Sequence, residues 1–132
     1  MSDPGSVPEE LRYTAEHEWF RVEGAEVVVG VTDHAQTQLT DVVFVDLPAV
    51  GKTVAAHGTV LTLESVKTVS DVYAPVGGTV TAVNDQLKAH PELINQDPYG
   101  GGWLFRLRTT APVGVAEGLS AAQYRAQVAA AP

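Results

Sequence analysis

The chain contains no cysteine, few basic residues and no long apolar run, and each shortage removes a class of chemistry. Without a thiol there are no disulfides, thiolate zinc sites, iron–sulfur ligands or cysteine nucleophiles. Any sulfur redox chemistry has to be imported. Lys and Arg number 8 against 16 Asp and Glu, and the net charge of −8 has the wrong sign for tracking a nucleic-acid backbone or an anionic membrane face. No apolar stretch approaches the roughly 20 residues that a membrane span requires. The first ten residues, Met1 to Glu10, lack a basic start followed by an apolar run. They read as a flexible head rather than a signal or transit peptide, and the expected location is the cytoplasm.

What is present is one domain's worth of chain, 132 residues of which 45% are hydrophobic. The expected division is a head over residues 1–10 and a single domain over 11–132. Its middle is rich in β-branched and aromatic runs. Trp19 to Val22 and Glu26 to Val31, separated by Glu23-Gly24-Ala25, have the spacing of a hairpin. Thr32-Asp33 offers an N-cap for a short helix through Leu39. Strands are expected over Asp41 to Leu47, Val60 to Val66, Val69 to Tyr73, Thr79 to Val83 and Trp103 to Arg108, with Thr53-Val54 following the Gly51-Lys52 turn. The segment from Lys88 to Gly102, with Pro91, Asn95, Pro98 and a run of glycines, reads as a loop with one helical turn. Ser120 with Gln123 fits a capping box, and predicts a terminal helix from Ala121 to about Ala129 that buries Ala121, Tyr124 and Val128.

A short repeat, Val50-Gly51-Lys52-Thr53-Val54 against Val76-Gly77-Gly78-Thr79-Val80, reads either as two similar turns or as a pseudo-twofold pair of hairpin units. The familiar catalytic signatures fail. Gly51-Lys52-Thr53 ends like a phosphate-binding loop, but Asp46 stands where that loop needs glycine. His17-Glu18 begins a zinc motif whose fifth position is Arg21, and His17, His34, His57 and His90 are too scattered for a ligand set. There is no nucleophile elbow. No metal site and no catalytic residue are expected. What remains is the meeting of two alternating runs at Val66-Lys67, which puts a lysine at the tip of a tight hairpin. Glu64 and Asp71 favour its charged form, so nothing activates Lys67 as a catalytic base. It is either a solubilising charge or an attachment point.

A series of motifs carries a resemblance from about Leu11 to Tyr124. These are His17-Glu18-Trp19, Gly30-Val31-Thr32-Asp33-His34-Ala35-Gln36, Val42 to Pro48, Glu64-Ser65-Val66-Lys67, Ser70-Asp71-Val72, Ala74 to Gly78, Leu93-Ile94-Asn95, and Asp97-Pro98-Tyr99 leading to Gly102-Trp103. In this order the chain resembles the H proteins of the glycine cleavage system. The resemblance implies an all-β-dominated, lipoyl-domain-like barrel-sandwich hybrid of two β-sheets, with short peripheral helices and a C-terminal helix. It implies a carrier and not an enzyme, with lipoate covalently attached to Lys67. The implied task is to take the aminomethyl group of glycine from the pyridoxal-phosphate glycine decarboxylase (P protein) to the tetrahydrofolate-dependent aminomethyltransferase (T protein). Reoxidation by dihydrolipoamide dehydrogenase (L protein) follows.

The position of Glu64 suggests that a lipoate ligase or octanoyltransferase reads it. Glu18, His34 and Asp71 are expected around a cavity for the loaded arm. Glu16, Gln38, Thr68 and Thr79 depart from the residues usual in the family. Three other readings stay open at this point. The first is a biotin carrier, whose lysine is usually flanked by methionines rather than Val66 and Thr68. The others are an H-like protein that relays lipoate to other domains and an unmodified β-sandwich interaction module.

Overall fold

The structure, a computed structural model, describes residues 7–109 and 118–130. The expected head therefore falls outside the described residues over 1–6. Of the remainder, the Pro8 carbonyl accepts the Tyr13 hydroxyl at 2.7 Å and Glu9 pairs with Arg125.

Two antiparallel sheets share one core. Strands β1 (Arg12–Tyr13), β2 (Glu18–Glu23), β3 (Glu26–Val31), β5 (Thr53–Val54), β8 (Gly78–Val83) and β9 (Phe105–Thr109) form a six-stranded sheet ordered β1-β2-β3-β9-β8-β5. Strands β4 (Val42–Asp46), β6 (Thr59–Ser65) and β7 (Val69–Tyr73) form a three-stranded sheet ordered β4-β6-β7. Neither sheet closes into a barrel, so β7 is left as an outer strand. Alternation along the strands supplies the filling: Val27, Val29 and Val31 meet Val45, Leu61, Leu63 and Val72 from the facing sheet. The opposite parity of β3 faces away from this core, where Val28 joins Trp19, Tyr13 and Leu11 in a second apolar cluster. Gly30 stands opposite Trp19 across β2 and β3, and a Cβ there would lie 2.6 Å from the indole ring. Only glycine leaves room for that tryptophan.

Short helices complete the frame. Helix α1 (Asp33–Leu39) starts at Thr32, whose hydroxyl accepts the N–H of Ala35, and buries Leu39. Helix α4 (Ala121–Ala130) has the expected reciprocal cap, Ser120 N–H to Gln123 Oε1 at 2.8 Å and Gln123 N–H to Ser120 Oγ at 3.1 Å. Its buried face is Ala121, Tyr124 and Val128, and it covers the second cluster.

The helical turn expected between Lys88 and Gly102 is α3 (Leu93–Gln96), and a second, unexpected one, α2 (Gln86–Ala89), begins just before that segment. Each is four residues long and lacks a side-chain cap, with a single buried anchor, Leu87 or Ile94. Tertiary burial holds them, which is why no local periodicity announces them. The two copies of the short repeat are cross-strand neighbours in the six-stranded sheet, with Thr53 opposite Thr79 and Val54 opposite Gly78.

Several motif residues build this frame. Asn95 accepts the N–H of Val42 at 2.9 Å and donates to the Thr40 carbonyl at 2.6 Å, tying α3 to the junction of α1 and β4. Trp19 donates its indole N–H to the Pro98 carbonyl at 2.9 Å, and the Tyr99 hydroxyl accepts the N–H of Asp33 at 2.9 Å. The second bond ties the start of α1 to the loop after α3.

Candidate functional site

The β6–β7 connection turns in two residues. Glu64 is opposite Val69, and the Ser65 N–H donates to the Thr68 carbonyl at 2.8 Å, which leaves Val66 and Lys67 as the loop. No glycine, proline or asparagine makes this turn. The Ser65 hydroxyl takes over instead, accepting the N–H of Lys67 at 3.2 Å and of Thr68 at 3.0 Å. A further bond from the Val66 N–H to the Asp41 carbonyl, 3.0 Å, fastens the loop to the start of β4. Val66 is 69% exposed and Val69 60% exposed. The lysine side chain is exposed and makes no ion pair among the described residues. Lys67 contributes nothing to closing the turn except its main-chain N–H.

Glu64 is exposed on the outer face of the small sheet, in one row with Phe44 and Val69. It stands three residues before the lysine and is open to anything that approaches the tip.

Beside the tip lies a cavity of about 420 Å³. One wall is Glu16, His17 and Glu18, from the turn between β1 and β2 and the start of β2. A second is His34, Ala35, Gln38 and Leu39 of α1, and a third is Thr68 with β7 from Val69 to Val72. All three acids and histidines expected around the arm, Glu18, His34 and Asp71, line it, while Glu64 does not. Lys67 itself stands immediately before the third wall.

The polar groups of the cavity are held differently. Glu18 is 2% exposed, and its carboxylate accepts the Thr14 hydroxyl at 2.6 Å and the N–H of Tyr73 at 3.0 Å. The second bond caps the outer edge of β7. Burial pushes the Glu18 carboxyl above the usual range, with those two bonds opposing the shift. His17 adopts a positive φ of 71° and places Nδ1 2.7 Å from the Tyr124 hydroxyl, its ring 4.7 Å from that of His34. Burial, with His34 second, lowers its pKa. Asp71 is exposed, on the same face of β7 as Val69, with the Thr62 hydroxyl 3.5 Å away. It is a rim group rather than a buried one.

Sequence reasoning missed the parts played by Ser65, His17 and Tyr124. Ser65 was legible in principle, because serine two residues before a tip is a known turn former. His17 and Tyr124 are 107 positions apart, and no local pattern joins them.

A two-sheet domain that lifts an unpaired lysine on a two-residue hairpin tip, beside a roofed polar cavity, has the build of a swinging-arm carrier. Comparison with known proteins gives the particular family. A family model described as glycine cleavage H-protein matches residues 11–131. The glycine cleavage system H protein of Herpetosiphon aurantiacus is 53% identical over 120 residues, 90% of this chain and 91% of the relative. That of Rubrobacter xylanophilus is 57% identical over 102 residues, 77% of this chain and 81% of the relative. The crystal structure of a glycine cleavage system H protein from Mycobacterium marinum superposes with a TM-score of 0.83 at 44% identity, covering 92% of this chain and 98% of that one. The chain belongs to the glycine cleavage H-protein family. Members are the lipoyl carriers of the glycine cleavage system, not enzymes, and bear lipoate covalently. Their partners are the other proteins of that system. No helix among the described residues is long and apolar enough to cross a membrane.

Proposed function

We propose that Lys67 is the lipoyl attachment residue, and that the exposed two-residue tip closed by Ser65 is the observation that carries this reading. A primary amine at that tip is open to an acylating enzyme, and the turn does not depend on its charge. The residues present suit the group: an amide can form at Lys67 without loss of any ion pair among the described residues, and a cavity begins one residue further on. When attached, lipoate supplies the disulfide that takes up the aminomethyl group of glycine from the P protein, yields it to the T protein and is restored by the L protein. The chain's own residues do the rest. Glu64 is proposed as the acid that a lipoate ligase or octanoyltransferase reads, supported by its exposure three residues from the lysine.

Glu18, His34 and Asp71 are proposed to hold and shield the carried group. Glu18 still has lone pairs to offer after its two internal bonds, and Asp71 adds a second carboxylate at the rim. Exclusion of water matters because the carried aminomethyl thioether plus water gives thiol, formaldehyde and ammonia. Residues 11–132 are proposed to act as one carrier domain, supported by the match over 11–131. The proposed compartment is the cytoplasm, supported by the similarity to bacterial glycine cleavage system H proteins. Intact and peptide mass spectrometry of protein made with lipoate available tests the reading. One lipoyl increment on Lys67 is expected; an unmodified chain, or a biotinyl increment, overturns it.

A further inference from the structure

The Tyr124 hydroxyl on α4 is the junction of two hydrogen bonds, with His17 Nδ1 at 2.7 Å and Thr32 Oγ1 at 2.7 Å. Their directions follow from what each group has left to give. Thr32 is fully buried, and its oxygen already accepts the N–H of Ala35 at 3.2 Å. Its own hydrogen has one acceptor among the described residues, the Tyr124 oxygen. A buried hydroxyl hydrogen left unpaired is costly, so Thr32 donates to Tyr124 and Tyr124 passes its hydrogen to His17 Nδ1. Burial raises the pKa of the Tyr124 hydroxyl, which keeps that proton on oxygen. A neutral imidazole that accepts at Nδ1 carries its hydrogen at Nε2. His17 lines the cavity beside His34, whose ring is 4.7 Å from its own, and its Nε2 has no hydrogen-bond partner among the described residues.

We propose that Tyr124, with Thr32, is a positioning residue that fixes His17 as its Nε2–H tautomer and thereby gives the arm cavity one oriented neutral donor. The donor serves an acceptor atom on the carried group, a role that rests on the carrier reading above. The remaining cavity acids, Glu16, Glu18 and Asp71, supply acceptors when ionised, so an oriented N–H complements them. Two further features hold the relay still: the Tyr124 ring is stacked on Tyr13, centroids 4.8 Å apart and 15° from parallel, and the His17 main chain donates to the Thr14 carbonyl at 3.2 Å and accepts the Thr32 N–H at 3.1 Å. Through this relay α4, which does not line the cavity, governs a group that does.

The test begins on the unmodified chain, where it does not depend on lipoate. Nitrogen-15 NMR of the His17 ring in wild type is expected to show a protonated Nε2 and an acceptor Nδ1; an Nδ1–H ring overturns the proposal. Tyr124→Phe keeps the ring and removes the hydroxyl, and is expected to release His17 into a mixture of tautomers. Protein shown by mass to be fully lipoylated is then charged with the aminomethyl group, and ammonia release is timed. Tyr124→Phe is expected to release it roughly five-fold faster, the factor that one hydrogen bond of ordinary strength makes. If Tyr124→Phe does not fold, His17→Asn decides, since asparagine tolerates positive φ and keeps a polar atom for Tyr124 but has no ε donor. Release from His17→Asn at the wild-type rate overturns the proposal. Absence of lipoate on Lys67 fails the carrier reading instead, and leaves the NMR result standing.

Discussion

The tip of the β6–β7 hairpin and the cavity at its foot are neighbours along one strand, yet they are held by opposite means. At the tip Val66 and Lys67 are exposed, and the turn is closed by main-chain groups and one serine hydroxyl. In the cavity the polar side chains are themselves the fastening. Glu18 caps the edge of β7 and grips Thr14, and His17 reaches α4 through Tyr124. The tip's chemistry is therefore separable from the fold, whereas in the cavity the groups proposed for recognition also fasten the fold. Substitutions should divide accordingly.

The largest effect is expected from Lys67→Arg. Arginine keeps the charge and suits an exposed turn but is a poor acyl acceptor, so lipoylation and glycine cleavage are lost completely while stability stays within about 0.5 kcal/mol. A melting temperature several degrees lower would put Lys67 among the fold's fastenings and break the comparison. Next comes Glu18→Ala, which strips partners from the Tyr73 N–H and the Thr14 hydroxyl at a buried site. Urea denaturation is expected to show a loss of about 1–3 kcal/mol, with the folded fraction still accepting lipoate.

Glu18→Gln is gentler, since its amide oxygen can accept the Tyr73 N–H and its NH₂ can donate to Thr14. With lipoylation intact, spontaneous release of ammonia and formaldehyde from charged protein should speed up several-fold. Asp71→Asn should produce a smaller change, because its carboxylate is exposed. Unchanged rates in both variants would remove these acids from the cavity's chemistry and leave the carrier role untouched.

Glu18 and His17 separate by pH. The folded state raises the Glu18 pKa and so binds its proton more tightly than the unfolded chain does. That contribution is complete below the ordinary carboxylate range and is lost as pH rises through the raised value. His17 has the opposite sign: its lowered pKa favours the neutral ring, a contribution complete above the ordinary imidazole value and lost as pH falls through the lowered one. Glu18→Gln should flatten the first dependence and leave the second, which chemical denaturation across pH will show. The smallest effect is expected at Glu64→Ala, which should slow lipoylation while changing stability by no more than about 0.5 kcal/mol. Equal modification rates would reduce Glu64 to an ordinary surface charge.

The same division decided what could be read in advance. The tip was legible because alternation fixes strand faces locally, and two alternating runs meeting at Val66-Lys67 leave little choice about what is exposed. The first hairpin, the N-cap at Thr32 and the capping box at Ser120 were legible for the same local reason. The four-residue helices α2 and α3 were not, since each buries one residue and has no side-chain bond from its N-cap residue. Asn95 and Trp19 stood out in motifs, but their tasks, clamping Val42 and reaching Pro98, depend on segments 53 and 79 positions away. Of the cavity residues, Asp71 was reached through its strand parity with Lys67, and Glu18 and His34 through family resemblance. Its wall from Glu16 to Glu18, its roof of α1 and the Tyr124 relay come together only when both sheets have formed.

The account stands on Lys67 being the point of attachment and the turn around it being independent of that attachment. The most direct measurement is peptide mass spectrometry on wild type and Lys67→Arg, both made with lipoate present, together with their melting temperatures. The expected result is a single lipoyl group on Lys67 in wild type, none in the variant, and matching melting curves. Lipoate on another lysine, or on none, would contradict the account.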